Sequence, residues 1–206
     1  TQYATGIGKI MKDAGYKTVF WYGGMPSWRD IKNYVLAQNF DECYCASDFK
    51  YSGGNSWGCP DKVLFDKVYE YIETYRNQKA FHIILTTSNH PPYTIDVVSE
   101  GFDKKKVLQN LPDDIANDDG IINELGHIWY ADMAMGRFVR KTEELKPDTL
   151  FVVTGDHAER FTFSKDVNDK TLSAIPCIIY GQGVEKTGLQ IMQPVVPCRF
   201  CQRWQK

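Results

Sequence analysis

Short β-prone runs alternate with longer amphipathic segments along this chain, and glycine or proline marks most of the junctions. That alternation constrains the fold more than any other feature. It predicts an α/β domain with a mostly parallel central sheet and helices on both faces. Residues 3–14 place Ile7, Ile10, Met11 and Ala14 on one helical face and stop at Gly15. Lys17–Tyr22 then reads as a strand ended by Gly23-Gly24. Ser27 is placed to cap a second helix carrying Trp28, Ile31, Tyr34 and Val35 at helical spacing. Residues 39–58 are polar, aromatic and glycine-containing, and are expected to form a long ordered loop.

Pro60 opens a third helix that runs to Tyr75, with Val63, Leu64, Val68, Tyr71, Ile72 and Tyr75 as its buried stripe. Residues 81–85 form a buried strand, and Pro91 forces extended backbone at His90 just beyond it. A long helix over 121–145 turns Ile121, Leu125, Ile128, Ala131, Met135 and Phe138 inward, with Gly126 and Gly136 allowing close packing. Pro147 ends it. Leu150–Thr154 is a short buried strand, and 176–180 is the last one, stopped by Gly181-Gln182-Gly183.

With 206 residues, 43% hydrophobic and 24% charged, the chain suits one globular domain. A formal net charge of -2 gives no basic excess for nucleic acid, and the charges are interspersed, naming no partner. No apolar run is long enough to cross a bilayer, and no signal peptide is visible. The first residue is Thr1 rather than Met, as in a processed or excised piece. Six cysteines carry no paired C-x-x-C framework, and Cys43 and Cys45 lie too close in an extended segment to pair comfortably. Cys198 and Cys201 form a lone C-x-x-C, weak evidence for zinc without a second pair. The cysteines leave the compartment open.

Ligands of open α/β sheets collect at the carboxyl ends of strands. At one such end stand Gly155, Asp156 and His157, a hard oxygen ligand beside a borderline nitrogen ligand for a divalent cation. The plainer account makes Asp156 a cap and His157 an ordinary surface histidine. Two further strand-end loops, 23–29 and 87–93, add Arg29 and His90, and Arg160 follows His157. A carboxylate, two histidines and two arginines are the inventory for a metal-assisted reaction on an anionic ester. Singly, Arg29 reads as a solvated helix residue, His90 as a loop residue, and Glu159 with Arg160 as a surface ion pair of little worth.

Four stretches in order carry a family resemblance: Asp13-Ala14-Gly15-Tyr16-Lys17-Thr18, Thr87-Ser88-Asn89-His90-Pro91-Pro92-Tyr93, residues 130–138, and residues 148–157. Over most of residues 1–183 the chain resembles the extracellular catalytic domain of lipoteichoic acid synthase-like sulfatases, in the alkaline phosphatase superfamily. The resemblance implies that Asp156 and His157 bind a catalytic divalent metal, commonly manganese, with magnesium, calcium or zinc as alternatives. It implies that His90 contacts the substrate's phosphate or sulfate and that Arg29, with Trp28 beside it, binds the headgroup. In that subgroup a Trp lies two positions before the Arg; here Ser27 holds that place. The implied activity is that of a sulfatase or phosphoglycerol transferase on an anionic, possibly lipid-linked ester, with the parent protein anchored at the outer face of the cell membrane.

The family's threonine nucleophile and a further acidic ligand fall upstream of the segment matched by Thr1, so no catalytic nucleophile is identified. The fragment alone is expected to be inactive. Thr154 precedes the ligands, but as part of a buried strand it is a poor substitute. A catalytically inactive module binding anionic glycans or lipid headgroups is the alternative. Residues 184–206 are atypical: where the family continues to Pro-Thr-Leu, the chain reads Val196-Pro197-Cys198-Arg199-Phe200. Back-translated into a neighbouring frame, this tail yields a Pro-Thr-Leu, as a frameshift would leave.

Overall fold

The computed structural model describes residues 3, 5–112, 116, 118–157 and 174–184. The chain divides into two compact units, Thr1–Lys146 and Pro147–Lys206. Arg160, Glu159, Cys198, Cys201 and nearly all of 184–206 lie outside the described residues.

The first unit is built on a parallel sheet of β1 (Lys17–Tyr22), β2 (Glu42–Cys45) and β3 (Ala80–Leu85), in the order β2-β1-β3. Lys17 stands opposite Ala80, and Val19 opposite Glu42. The period of two sorts the side chains onto two faces. On one, Tyr22, Cys43 and Cys45 pack with Ile31 and Val35 of α2 (Ile31–Ala37), joined by Phe20, Phe81 and Ile83. On the other, the Trp21 ring stacks on Tyr44 at 4.7 Å and meets Tyr71 of α3 (Asp61–Thr74) edge-on at 5.4 Å. The sheet is covered on both faces.

α1 (Ile7–Asp13) ends as expected at Gly15, whose φ of +84° lets its amide reach the Lys12 carbonyl at 2.9 Å. Its inward face differs from expectation. Ile7 and Ile10 are exposed, and the buried residue is Gly8, where a Cβ would meet a Phe40 ring carbon at 2.7 Å. The residue without a side chain makes the close approach, so the apolar stripe faces away. Ser27 makes no side-chain cap: a 3-10 turn, Trp28–Asp30, precedes α2, and Asp30 is the N-cap residue. The expected loop over 39–58 contains β2 and a 3-10 turn, Ala46–Phe49, too short and too polar to stand out as apolar runs.

Pro60 stands at the N-cap position, one place before the helix it was expected to open, Phe65 joins the buried stripe of α3, and Tyr75 is exposed. α4 (Lys104–Leu108) is short. α5 (Asp119–Leu145) packs on α3 through Phe65 and Phe138, stacked at 4.9 Å. Its buried residues are Ile122, Gly126, His127, Tyr130, Ala134, Gly136, Phe138, Val139 and Thr142; of the predicted stripe Phe138 is among them, and the rest stand one position to one side or the other. His127 is fully buried because both ring nitrogens are satisfied: Nδ1–H donates to the Asn123 carbonyl at 2.8 Å, and Nε2 accepts from the Ile95 amide at 3.1 Å. At Gly126 a Cβ would lie 2.7 Å from Val97 Cγ2, so the predicted close packing is present.

In the second unit β4 (Leu150–Thr154) pairs antiparallel with β5 (Cys177–Gly181). β4 is not a fully buried strand. Leu150 and Val152 are more than half exposed while Phe151 and Val153 are half-buried, the alternation of a ribbon with one covered face. Thr154, at its end, is exposed and its hydroxyl donates to the Gly155 carbonyl at 3.3 Å.

Candidate functional site

The loops leaving β1, β2 and β3 are stitched together by backbone. Gly23 donates to the Leu85 carbonyl at 3.0 Å, Cys59 to the Gly23 carbonyl at 2.8 Å, and Ala46 to the Gly24 carbonyl at 2.9 Å. Glycine is required where these chains touch. A Cβ on Gly58 (φ +147°) would fall 1.9 Å from the Gly23 oxygen.

His90 is presented by the loop after β3, and that loop is locked onto α3. The Asp61 carboxylate accepts from the Thr87 and Ser88 amides, both at 3.0 Å. The Asp61 amide donates to the Ser88 hydroxyl at 2.8 Å, and the Thr87 hydroxyl donates to the Cys59 carbonyl at 3.1 Å. Asp61 is 1% exposed, and its Oδ2 has no hydrogen-bond partner. Burial pushes its carboxyl above the usual aspartate value, against the Ser88 and Thr87 amides that favour the anion. The sequence reading missed Asp61. Its signal was an acid just after Cys59-Pro60, in the first turn of a helix.

His90 Nδ1 lies 2.7 Å from the Pro91 carbonyl, which only accepts, so Nδ1 carries the proton in that contact. The Trp57 ring lies against the imidazole, centroid to centroid 3.5 Å. Trp57 was likewise missed, inside the segment expected to be a loop. Across the same rim Trp28 packs on Tyr22 at 5.6 Å, and the Arg29 guanidinium sits 5.5 Å above the Trp28 ring. Arg29 and Asp30 are consecutive left-handed residues (φ 46° and 53°), a strained backbone that turns the exposed Arg29 out of helical register. Trp28, Arg29 and His90 therefore share the carboxyl rim of the three-stranded sheet.

Of the other two histidines of the first unit, His127 is fully buried and His82 is partly buried on β3. His82 Nδ1 accepts from the Trp21 indole at 3.1 Å. Burial, helped by the Lys146 ammonium and opposed by Glu42, holds His82 down to about 4. Burial also lowers His127, and both rings are neutral.

In the second unit Asp156 and His157 follow β4, with His157 Nε2 and Asp156 Oδ2 3.8 Å apart and both side chains well exposed. Their donors suit a divalent cation, of whose ligands the pair could supply two. Among the described residues no group of three or more His, Cys, Asp or Glu side chains gathers around a common point. No described helix is long and apolar enough to cross a membrane.

The sulfatase family matches residues 1–198. Among solved structures, the chain is similar to the lipoteichoic acid synthase LtaP from Listeria monocytogenes (TM-score 0.71, 22% identity, 86% of this chain and 46% of that one). It is similar to an alkaline phosphatase superfamily protein from Vibrio parahaemolyticus (TM-score 0.66, 27% identity, 86% and 41%). It also matches the Streptococcus pyogenes phosphoglycerol transferase GacH, solved with sn-glycerol-1-phosphate (TM-score 0.54, 15% identity, 82% and 44%). The chain thus spans less than half the length of these structures.

Proposed function

The chain belongs to the sulfatase family, and from that premise we propose that it is part of a divalent-metal-dependent enzyme acting on sulfate or phosphate esters. In this reading Asp156 and His157 hold the cation. Manganese is the favoured ion, ahead of magnesium, calcium and zinc. When bound, a divalent cation offsets charge on the attacked group and lowers the pKa of a coordinated hydroxyl. His90 binds a non-bridging ester oxygen, and Arg29 and Trp28 take the headgroup. Phosphoglycerol transfer at the outer face of a cell membrane is the favoured form, supported by the likeness to LtaP and GacH. A threonine hydroxyl, not identified among the residues of this chain, attacks the ester, and the group passes through a covalent intermediate to water or an acceptor alcohol.

The observation that carries this reading is the sorting of the four histidines. His82 and His127 are bonded to groups within the fold, whereas His90 and His157 stand in loops that leave strand ends. The test is Mn(II) titration followed by the loss of the free-ion EPR signal. Binding that is weakened about tenfold or more by Asp156→Asn with His157→Gln supports the reading. Unchanged binding overturns it. Turnover of a phosphodiester by this chain alone would contradict the expectation that it lacks the nucleophile. A protein that binds glycerol phosphate without turning it over would be a binding module instead.

A further inference from the structure

We propose that Trp57 is the positioning residue of His90, fixing the plane of the imidazole that meets the anionic ester. This rests on the reading above, in which His90 is a substrate-binding group. The ring centroids are 3.5 Å apart and the planes are inclined at 36°, a close, tilted contact in which the imidazole cannot turn further without displacing the indole.

The Trp57 backbone is itself held in a tight turn. The Trp57 amide donates to Asn55 Oδ1 at 2.8 Å, and Asn55 and Gly58 exchange backbone bonds at 3.0 and 3.1 Å, closing a four-residue turn. Asn55 Nδ2 donates to Thr94 Oγ1 at 3.1 Å, tying the turn to the segment that follows His90. Gly58 lies flush on Gly23, and a Cβ on Gly24 would meet the Trp57 carbonyl at 2.7 Å. Indole and imidazole thus arrive from separate loops, each anchored to the end of a strand. The Pro91 carbonyl fixes one ring nitrogen of His90, and Trp57 fixes the plane about that bond. An imidazole hydrogen bond to a tetrahedral anion is directional, so a ring free to tilt would spread over orientations of which few are productive.

The test uses the full chain with inorganic phosphate and inorganic sulfate as probes, followed by NMR of labelled histidine. In the wild type, the His90 ring protons should be shifted upfield by the indole ring current. That shift should vanish in Trp57→Leu and persist, reduced, in Trp57→Phe. Anion affinity should fall about tenfold in Trp57→Leu, approaching that of His90→Ala, and stay within about threefold of wild type in Trp57→Phe. Equal affinity of Trp57→Leu and wild type, with His90→Ala impaired, overturns the positioning role and leaves the substrate-binding role of His90 intact. Unimpaired binding by His90→Ala overturns the functional reading itself. Should Trp57→Leu fail to fold, the wild-type ring-current shift decides, and its absence overturns the proposal.

Discussion

Asp61 and Ser88 hold each other reciprocally: the Asp61 amide donates to the Ser88 hydroxyl at 2.8 Å, and the Ser88 amide donates to the Asp61 carboxylate at 3.0 Å. The pair joins the first turn of α3 to the loop that carries His90, so the site inherits the rigidity of a helix. It also makes one aspartate responsible for two buried amides.

Replacing that aspartate should separate its two effects. Asp61→Ala strands the Thr87 and Ser88 amides and should cost about 2–4 kcal/mol in urea unfolding. Asp61→Asn keeps an acceptor and should cost less. Because burial raises the folded-state pKa above 3.8, the native state binds the proton more tightly than the unfolded chain. The contribution of Asp61 is therefore most favourable at low pH and declines as pH rises from about the ordinary aspartate value through the raised one. The decline should be absent in Asp61→Asn; an identical profile in both proteins would contradict the assignment.

His82 works in the opposite direction. Its folded value of about 4 lies below the ordinary 6.5, so the native state binds fewer protons. Its contribution is complete above about pH 6.5 and is lost progressively as pH falls towards 4, on the order of 2–3 kcal/mol. His82→Gln retains an acceptor for Trp21 and should flatten this limb of the stability curve, measured by denaturant melts from pH 4 to 7.

Asp41 governs the acid end of the range. Burial raises its pKa but is outweighed by Lys12 and by the amide and hydroxyl of Thr18, leaving it at about 2. Stability from this carboxylate is present above 3.8 and lost as pH falls through about 2. Lys12→Met should move the acid transition to higher pH, and added salt should narrow the difference.

Gly58→Ala places a methyl where the Gly23 oxygen already sits, at a φ that L residues rarely adopt. It should destabilise by about 2–4 kcal/mol or force the turn off the strand end, releasing Trp57. Thermal melts with tryptophan emission would report both; wild-type behaviour in each would contradict the close approach.

Much of this architecture is legible in the sequence. Lys17–Tyr22 is a β-branched and aromatic run between glycines, and the observed strand has those bounds. The long helix announces itself by length and by Pro147. Side-chain facing was harder to read where glycine made the contact, as at Gly8, or where a polar residue was buried with its partners supplied, as at His127. β2 has four residues, one a glutamate that accepts from two tyrosine hydroxyls, and no local pattern distinguishes it from loop. Among candidate site residues, His90 and Arg29 could be named because strand ends were predictable. Trp57 and Asp61 could not, since their roles arise from contacts with loops about thirty positions away.

The order β2-β1-β3 has a consequence for how the protein is made. The central strand is translated first of the three, with both edges open. One side is filled when Cys45 emerges and the other only when Leu85 does, leaving the innermost ribbon half-paired for several seconds at ordinary rates of synthesis, ~5–20 residues per second. Until then Val19 and Trp21 stand on a strand with an open edge, which makes nascent-chain length the variable that sets how long that edge can pair with something else.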